Sequence, residues 1–144
     1  MVMEDRFFSC ETCGNLVMML IASGVTPVCC GEEMTELVAK SADEGKEKHV
    51  PVVNRISSSE MTVAVGATLH PMVSNHLIEF VCLQTTEGFA VRYLKAGDDP
   101  KAVFRFTGKP IAVYAYCNVH GLWRLNIKDL CDNKTECSRI AMWF

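Results

Sequence analysis

The sequence predicts an all-β protein in two parts: a small cysteine-rich metal domain, then an antiparallel β-sandwich or barrel. Three observations carry this. Four of the eight cysteines fall as two close pairs within the first 37 residues. From His49 onward, short apolar or alternating runs are separated by turn residues. No stretch shows a convincing helical period. The chain of 144 residues, 49% hydrophobic and 22% charged, has the make-up of an ordinary globular protein. It is not that of a disordered chain, a collagen repeat or a coiled coil. Fourteen Lys and Arg against 17 Asp and Glu give a formal charge of −3, so there is no basic excess for a phosphate backbone and nucleic acid is not an expected partner.

The chain divides by composition. Residues 1–37 hold four Cys, three of the nine Gly and no His, and form the expected metal domain. Residues 38–48, polar and charged, read as a linker. Residues 49–128 carry the strands: Met61 to Val65, alternating Thr and Val, then Leu77 to Leu83, Phe89 to Leu94, Ala102 to Phe106, Ile111 to Cys117 and Leu122 to Ile127. Gly88, Gly97-Asp98-Asp99-Pro100, Gly108-Lys109-Pro110 and Gly121 punctuate them. The tail, 129–144, fits neither part and has no assigned role.

Met1 to Ser9 carries Glu4, Asp5 and Arg6 and no apolar run, so it does not look like a secretory signal. Leu16 to Val25, the longest apolar stretch, is about half the roughly 20 residues a spanning helix needs. No membrane association is expected. The placement that follows is a reducing cytoplasm, where clustered cysteines hold metal more often than each other.

Cys10-x2-Cys13 is followed, after fifteen residues, by the adjacent pair Cys29-Cys30. Two short-range thiolate pairs are what a tetrahedral soft-ligand site requires, and iron or zinc fits on ligand type. Gly14 and Gly31 follow the pairs directly, where a metal knuckle needs permissive backbone. Adjacent cysteines point apart along an extended chain, so both on one ion should distort the tetrahedron. A zinc staple for a segment too small to bury its own core explains the pattern equally well.

All four His remain. His49 precedes Val50-Pro51, and His70 precedes Pro71 directly, which favours extended geometry and projection from strand ends or loops. His76 lies six residues beyond His70, and Cys117-x2-His120 closes an apolar strand with another knuckle. Each His alone reads as an ordinary imidazole. Together with Cys117 they suggest a mixed site, and five such donors suggest iron with one open position rather than tetrahedral zinc.

These motifs carry a resemblance. Glu47-Lys48-His49-Val50-Pro51-Val52, Gly66-x3-His70-Pro71-Met72-x3-His76-x-Ile78-Glu79 and Cys117-Asn118-Val119-His120-Gly121 resemble the superoxide reductase family. Cys10-x2-Cys13 with Cys29-Cys30 resembles desulforedoxin. The combination, from about Arg6 to Ile127, resembles the desulfoferrodoxins, two-iron superoxide reductases of anaerobic and microaerophilic prokaryotes. The resemblance implies a desulforedoxin-like domain with a distorted rubredoxin-like iron centre on Cys10, Cys13, Cys29 and Cys30. It implies an immunoglobulin-like β-sandwich whose iron is ringed by His49, His70, His76 and His120, with the Cys117 thiolate on the axis. The sixth position would be open to superoxide in the ferrous state and available to Glu47 in the oxidised one, with Lys48 as the charged residue beside it. A homodimer and a rubredoxin-like electron donor are further implications.

The implied reaction is one-electron reduction of superoxide, with two protons, to hydrogen peroxide. Five thiolates and two ferrous ions take the formal charge of −3 to about −4, so an anionic substrate needs a local positive spot. The second iron with its single thiolate supplies one and Lys48 another. Two rival classes remain: a rubredoxin-like electron-transfer protein using only the four-cysteine site, and a zinc-stapled binding module.

The family often has aromatic residues where this chain has Leu77 and Phe80, of which Phe80 keeps a ring but loses an indole donor, and the tail with Cys131 and Cys137 extends past the usual terminus. Cys82 is expected in the core. Val17-Met18-Met19 is expected to pack the small domain or a dimer contact. Trp123 either shields the second site or fills the sandwich.

Overall fold

The structure, a computed structural model, describes residues 6–41, 49–66 and 69–127. Glu47, Lys48 and the tail with Cys131 and Cys137 lie outside the described residues. Among those described, the regular elements are twelve β-strands in two compact units, divided after Val38.

The small unit holds β1 (Arg6–Ser9), β2 (Leu16–Met19), β3 (Val28–Cys29), β4 (Glu32–Glu33) and β5 (Thr35–Leu37). The first sheet runs β2-β1-β5 and is antiparallel throughout, while β3 and β4 form a separate hairpin. Phe8, Cys10 and Met34 form its core, with Met19 and Cys29 packed against them. Two of those five side chains are cysteines of the proposed metal site. So little apolar surface needs a staple to hold it.

The larger unit holds β6 (Pro51–Ile56), β7 (Glu60–Val65), β8 (Ile78–Thr85), β9 (Gly88–Tyr93), β10 (Lys101–Arg105), β11 (Pro110–Cys117) and β12 (Gly121–Asn126). Its two sheets, ordered β10-β7-β6 and β12-β11-β8-β9, are antiparallel. Alternation decides which face is buried: on β10, Ala102 and Phe104 point inward while Lys101, Val103 and Arg105 face water. Met61, Val63 and Val65 of β7 meet Val81 and Leu83 of β8 and Val113, Ala115 and Cys117 of β11 between the sheets. The expected sandwich is the fold, and the metal cysteine Cys117 is a member of its core.

Strands β7 to β12 lie within a residue or two of the expected runs. The strand β6 carries no such alternation, because an extra residue at Asn54 shifts its register between Val53 and Arg55. A second shift sets Cys117 opposite Ile78 while Tyr116 faces Phe80. The extra residue, Glu79, turns Ile78 into the core in phase with Val81 and Leu83, and ends the regular ladder beside Cys117. Bulges of this kind re-aim side chains at sheet ends. Lys40, in the stretch read as a linker, pairs with Trp123: its N–H donates to the Leu122 carbonyl (2.9 Å) and its carbonyl accepts from Arg124 (2.8 Å). Cys82 is fully buried, as expected.

Phe104 has no exposed surface and sits in the inter-sheet core, so Phe104→Ala should destabilise the larger unit by about 3–5 kcal/mol. A fall in the urea midpoint at unchanged slope is the expected measurement.

Candidate metal centres

Cys10, Cys13, Cys29 and Cys30 bring their sulfurs within 4.8 Å of one another. Cys10 follows β1, and its turn is closed by Gly14 N–H donating to the Cys10 carbonyl (2.8 Å) and Cys10 N–H to the Asn15 carbonyl (2.8 Å). The adjacent pair is reconciled by the backbone. Cys29 ends β3 in extended geometry, Cys30 turns to φ +54°, and Gly31 continues at +77°. A left-handed residue breaks the alternation of a strand, so neighbouring side chains can aim at one point; for a non-glycine it costs on the order of 1–3 kcal/mol. The Cys13–Cys29 sulfurs are 3.7 Å apart and the Cys29–Cys30 sulfurs 4.0 Å. A tetrahedron with metal–sulfur bonds of about 2.3 Å has edges of about 3.8 Å. The donor set therefore fits a tetrahedral thiophilic ion.

Electrostatics point the same way. The Cys13 peptide N–H, aided by that of Thr12 and opposed by burial, lowers the Cys10 thiol to about 6. Cys29 is pushed up, first by its hydrogen bond with Cys13 and then by that with Cys10. The same two partners, in that order, push Cys30 up to about 12. One thiolate forms readily and then resists its neighbours' ionisation, a conflict that a bound dication removes.

The second cluster gathers His49, His70, His76, Cys117 and His120, again with donor atoms all within 4.8 Å. His49 enters β6, His70 and His76 lie between β7 and β8, Cys117 ends β11 and His120 occupies the β11–β12 turn, so all five come from one end of the sandwich. The imidazoles form a closed circuit. Ring centroids are 4.6 Å apart for His49–His70, 4.7 Å for His70–His76, 5.1 Å for His76–His120 and 4.8 Å for His120–His49, each pair steeply inclined.

His70 Nδ1 donates to the Pro71 carbonyl at 2.7 Å, which leaves the Nε2 lone pair for the centre. That Nε2 lies 3.5 Å from the Cys117 sulfur, and His49 Nε2 lies 3.1 Å from His120 Nδ1. The His120 peptide N–H donates to the Cys117 sulfur at 3.4 Å. Converging imidazole lone pairs around one sulfur fit a borderline metal such as iron. His49, His70 and Cys117 are buried, His76 is half-buried and His120 is exposed, so water reaches the cluster from one side.

All nine metal ligands expected from the sequence are thus brought together, as two clusters. Trp123 does more than fill the sandwich: it is buried and stacks on the His49 ring at 4.5 Å with planes 12° apart. The Lys40 ammonium lies 5.0 Å from the Trp123 ring centroid. Sequence reasoning missed Lys40, whose charged neighbourhood gives no signal of a contact with an indole. Phe80 stacks on Tyr116, its partner across the β8–β11 pair, at 5.5 Å.

Comparison with known proteins agrees with this geometry. The sequence profile of the family described as Desulfoferrodoxin matches residues 41–126, and that described as Desulfoferrodoxin, N-terminal domain, matches residues 3–37. The chain belongs to the desulfoferrodoxin family. Among its relatives, a desulfoferrodoxin homolog of Archaeoglobus fulgidus is 41% identical over 119 residues, 83% of this chain and 94% of that one. A desulfoferrodoxin of Nitratidesulfovibrio vulgaris is 38% identical over 121 residues, 84% of this chain and 95% of that one. The crystal structure of the superoxide reductase from Treponema pallidum superposes with a TM-score of 0.74 at 29% identity, covering 85% of this chain and 98% of that one. As a desulfoferrodoxin, the chain has donor sets that fit two irons, one per cluster.

Because Cys29 and Cys30 hold their protons and Cys10 does not, metal uptake at the first site at pH 7.5 should release protons, and affinity should fall as pH drops from 8 to 6. Zinc titrated into apoprotein in weak buffer with a pH dye measures this. A variant with Cys29→Ser and Cys30→Ser should release fewer protons in total than the wild type.

Proposed function

We propose that the protein is a superoxide reductase that converts superoxide to hydrogen peroxide at the His49, His70, His76, Cys117 and His120 cluster. The carrying observation is the convergence of four imidazoles and one buried sulfur, open to water on the His120 side. A ferrous ion held by these five residues would supply the single electron that superoxide requires. The protein does the rest. Four neutral imidazoles leave the centre with positive charge, and the Cys117 sulfur adds electron density from the core side, its charge tempered by the His120 N–H. The Pro71 carbonyl holds the His70 tautomer, and Trp123 closes the back of His49 against water. Exposure of His120 gives superoxide a way in and peroxide a way out.

Glu47 and Lys48 precede the ligand His49 directly. In this reading Lys48 would attract the anion and orient a water that delivers a proton, and Glu47 would be the carboxylate available to the oxidised iron. Cys10, Cys13, Cys29 and Cys30 hold the first iron, and electrons come from a rubredoxin-like donor. A homodimer is supported by exposed Leu20, Ile21, Val25, Val28 and Val38 in the small unit. Clustered cysteines that hold metal suit a reducing cytoplasm, and no helix among the described residues is long and apolar enough to cross a membrane.

The test is anaerobic purification, an iron count per chain and pulsed superoxide. Peroxide should form without matching dioxygen, and azide should perturb the oxidised second centre. One iron per chain, or dioxygen equal to peroxide, would sink the reading. Lys48→Ala should slow the second-order reaction and flatten its salt dependence, whereas Glu47→Ala should leave the rate nearly intact and change what binds the ferric form.

A further inference from the structure

His76 sits on a short turn between β7 and β8. The turn is closed by a local bridge, Val73 N–H to the His76 carbonyl and His76 N–H to the Val73 carbonyl, each 3.0 Å. Asn118 lies in sequence between the ligands Cys117 and His120. Its Oδ1 accepts from Leu77 N–H at 3.0 Å, and its Nδ2 donates to the Asn75 carbonyl at 3.1 Å. Its backbone N–H donates to the Leu77 carbonyl at 3.2 Å. One carboxamide therefore grips the chain on both sides of His76.

We propose that Asn118 is a positioning residue that locks His76 onto the Cys117–His120 turn and so fixes three of the five donors of the second site as one unit. The side chain must accept and donate at once, one residue either side of the ligand. Alanine does neither. Aspartate keeps the acceptor for Leu77 but sets an oxygen against the Asn75 carbonyl. Serine is too short to span the two groups. With the side-chain grip lost, the peptide groups on either side of His76 lose the amide that fixes them, and a less exactly placed imidazole holds metal less well. Partners that orient ligands from behind are worth about 10–100-fold in metal affinity.

The inference rests on the reading of this cluster as a metal site and needs no superoxide to test. Full-length, iron-loaded wild type, Asn118→Ala and Asn118→Asp are challenged anaerobically with a ferrous chelator, and iron loss from each site is followed. The charge-transfer absorption of the oxidised second centre is recorded, and the four-cysteine chromophore and far-ultraviolet circular dichroism serve as internal controls. Both variants should lose second-site iron about 10–100-fold faster and shift that absorption, with the four-cysteine site and the fold unchanged. Wild-type release and absorption in both variants would overturn the role of Asn118. Equal loss from both sites, with a changed fold, would overturn it in favour of a general structural role. A wild type with no second iron would instead overturn the metal-site reading beneath it.

Discussion

Electron-pair donors held a few ångströms apart repel one another unless protons or a cation lie between them. Both halves of this protein are organised around that conflict. In the small unit the conflict is among sulfurs, one eager to ionise and two held back. In the larger unit it is among imidazole nitrogens, brought as close as 3.1 Å. The chain accepts it in each case because an ion turns repulsion into binding energy, and in the small unit that energy supplements a core of three buried side chains.

The two units meet the demand with different backbone devices. Four-cysteine geometry depends on φ, since a left-handed Cys30 lets neighbouring residues share one target. The histidine site depends on sheet ends. A register shift beside Cys117 stops the ladder where the ligands begin, and the turn after β11 returns His120 towards the same sulfur. Trp123, three residues further along, stacks behind His49. A rigid sandwich thus lends its precision to side chains that lie on loops.

Much of this was legible in the sequence because ligand chemistry is sparse. A chain with four His and a thiolate pattern of two close pairs has few other uses for them, and alternation revealed β7. The strand β6 escaped because the bulge at Asn54 breaks the very period by which strands are read. The five short strands of the small unit escaped because two to four residues hold too little alternation to register. Contacts across space were invisible: nothing in a charged stretch announces that Lys40 meets an indole, and nothing in Cys117-Asn118-Val119-His120 announces which loop the amide grips.

The two sites also differ in how much chain must exist before they can close. From Cys10 to Cys30 is 21 residues, whereas His49 to His120 spans 72 and requires strands of both sheets. A chain leaving the ribosome has its thiolate site complete while most of the sandwich is still unmade, and loops that close early cost little entropy. An order of closure is therefore built into the chain: the four sulfurs can meet first, and the histidine ring can form only once the sandwich has folded.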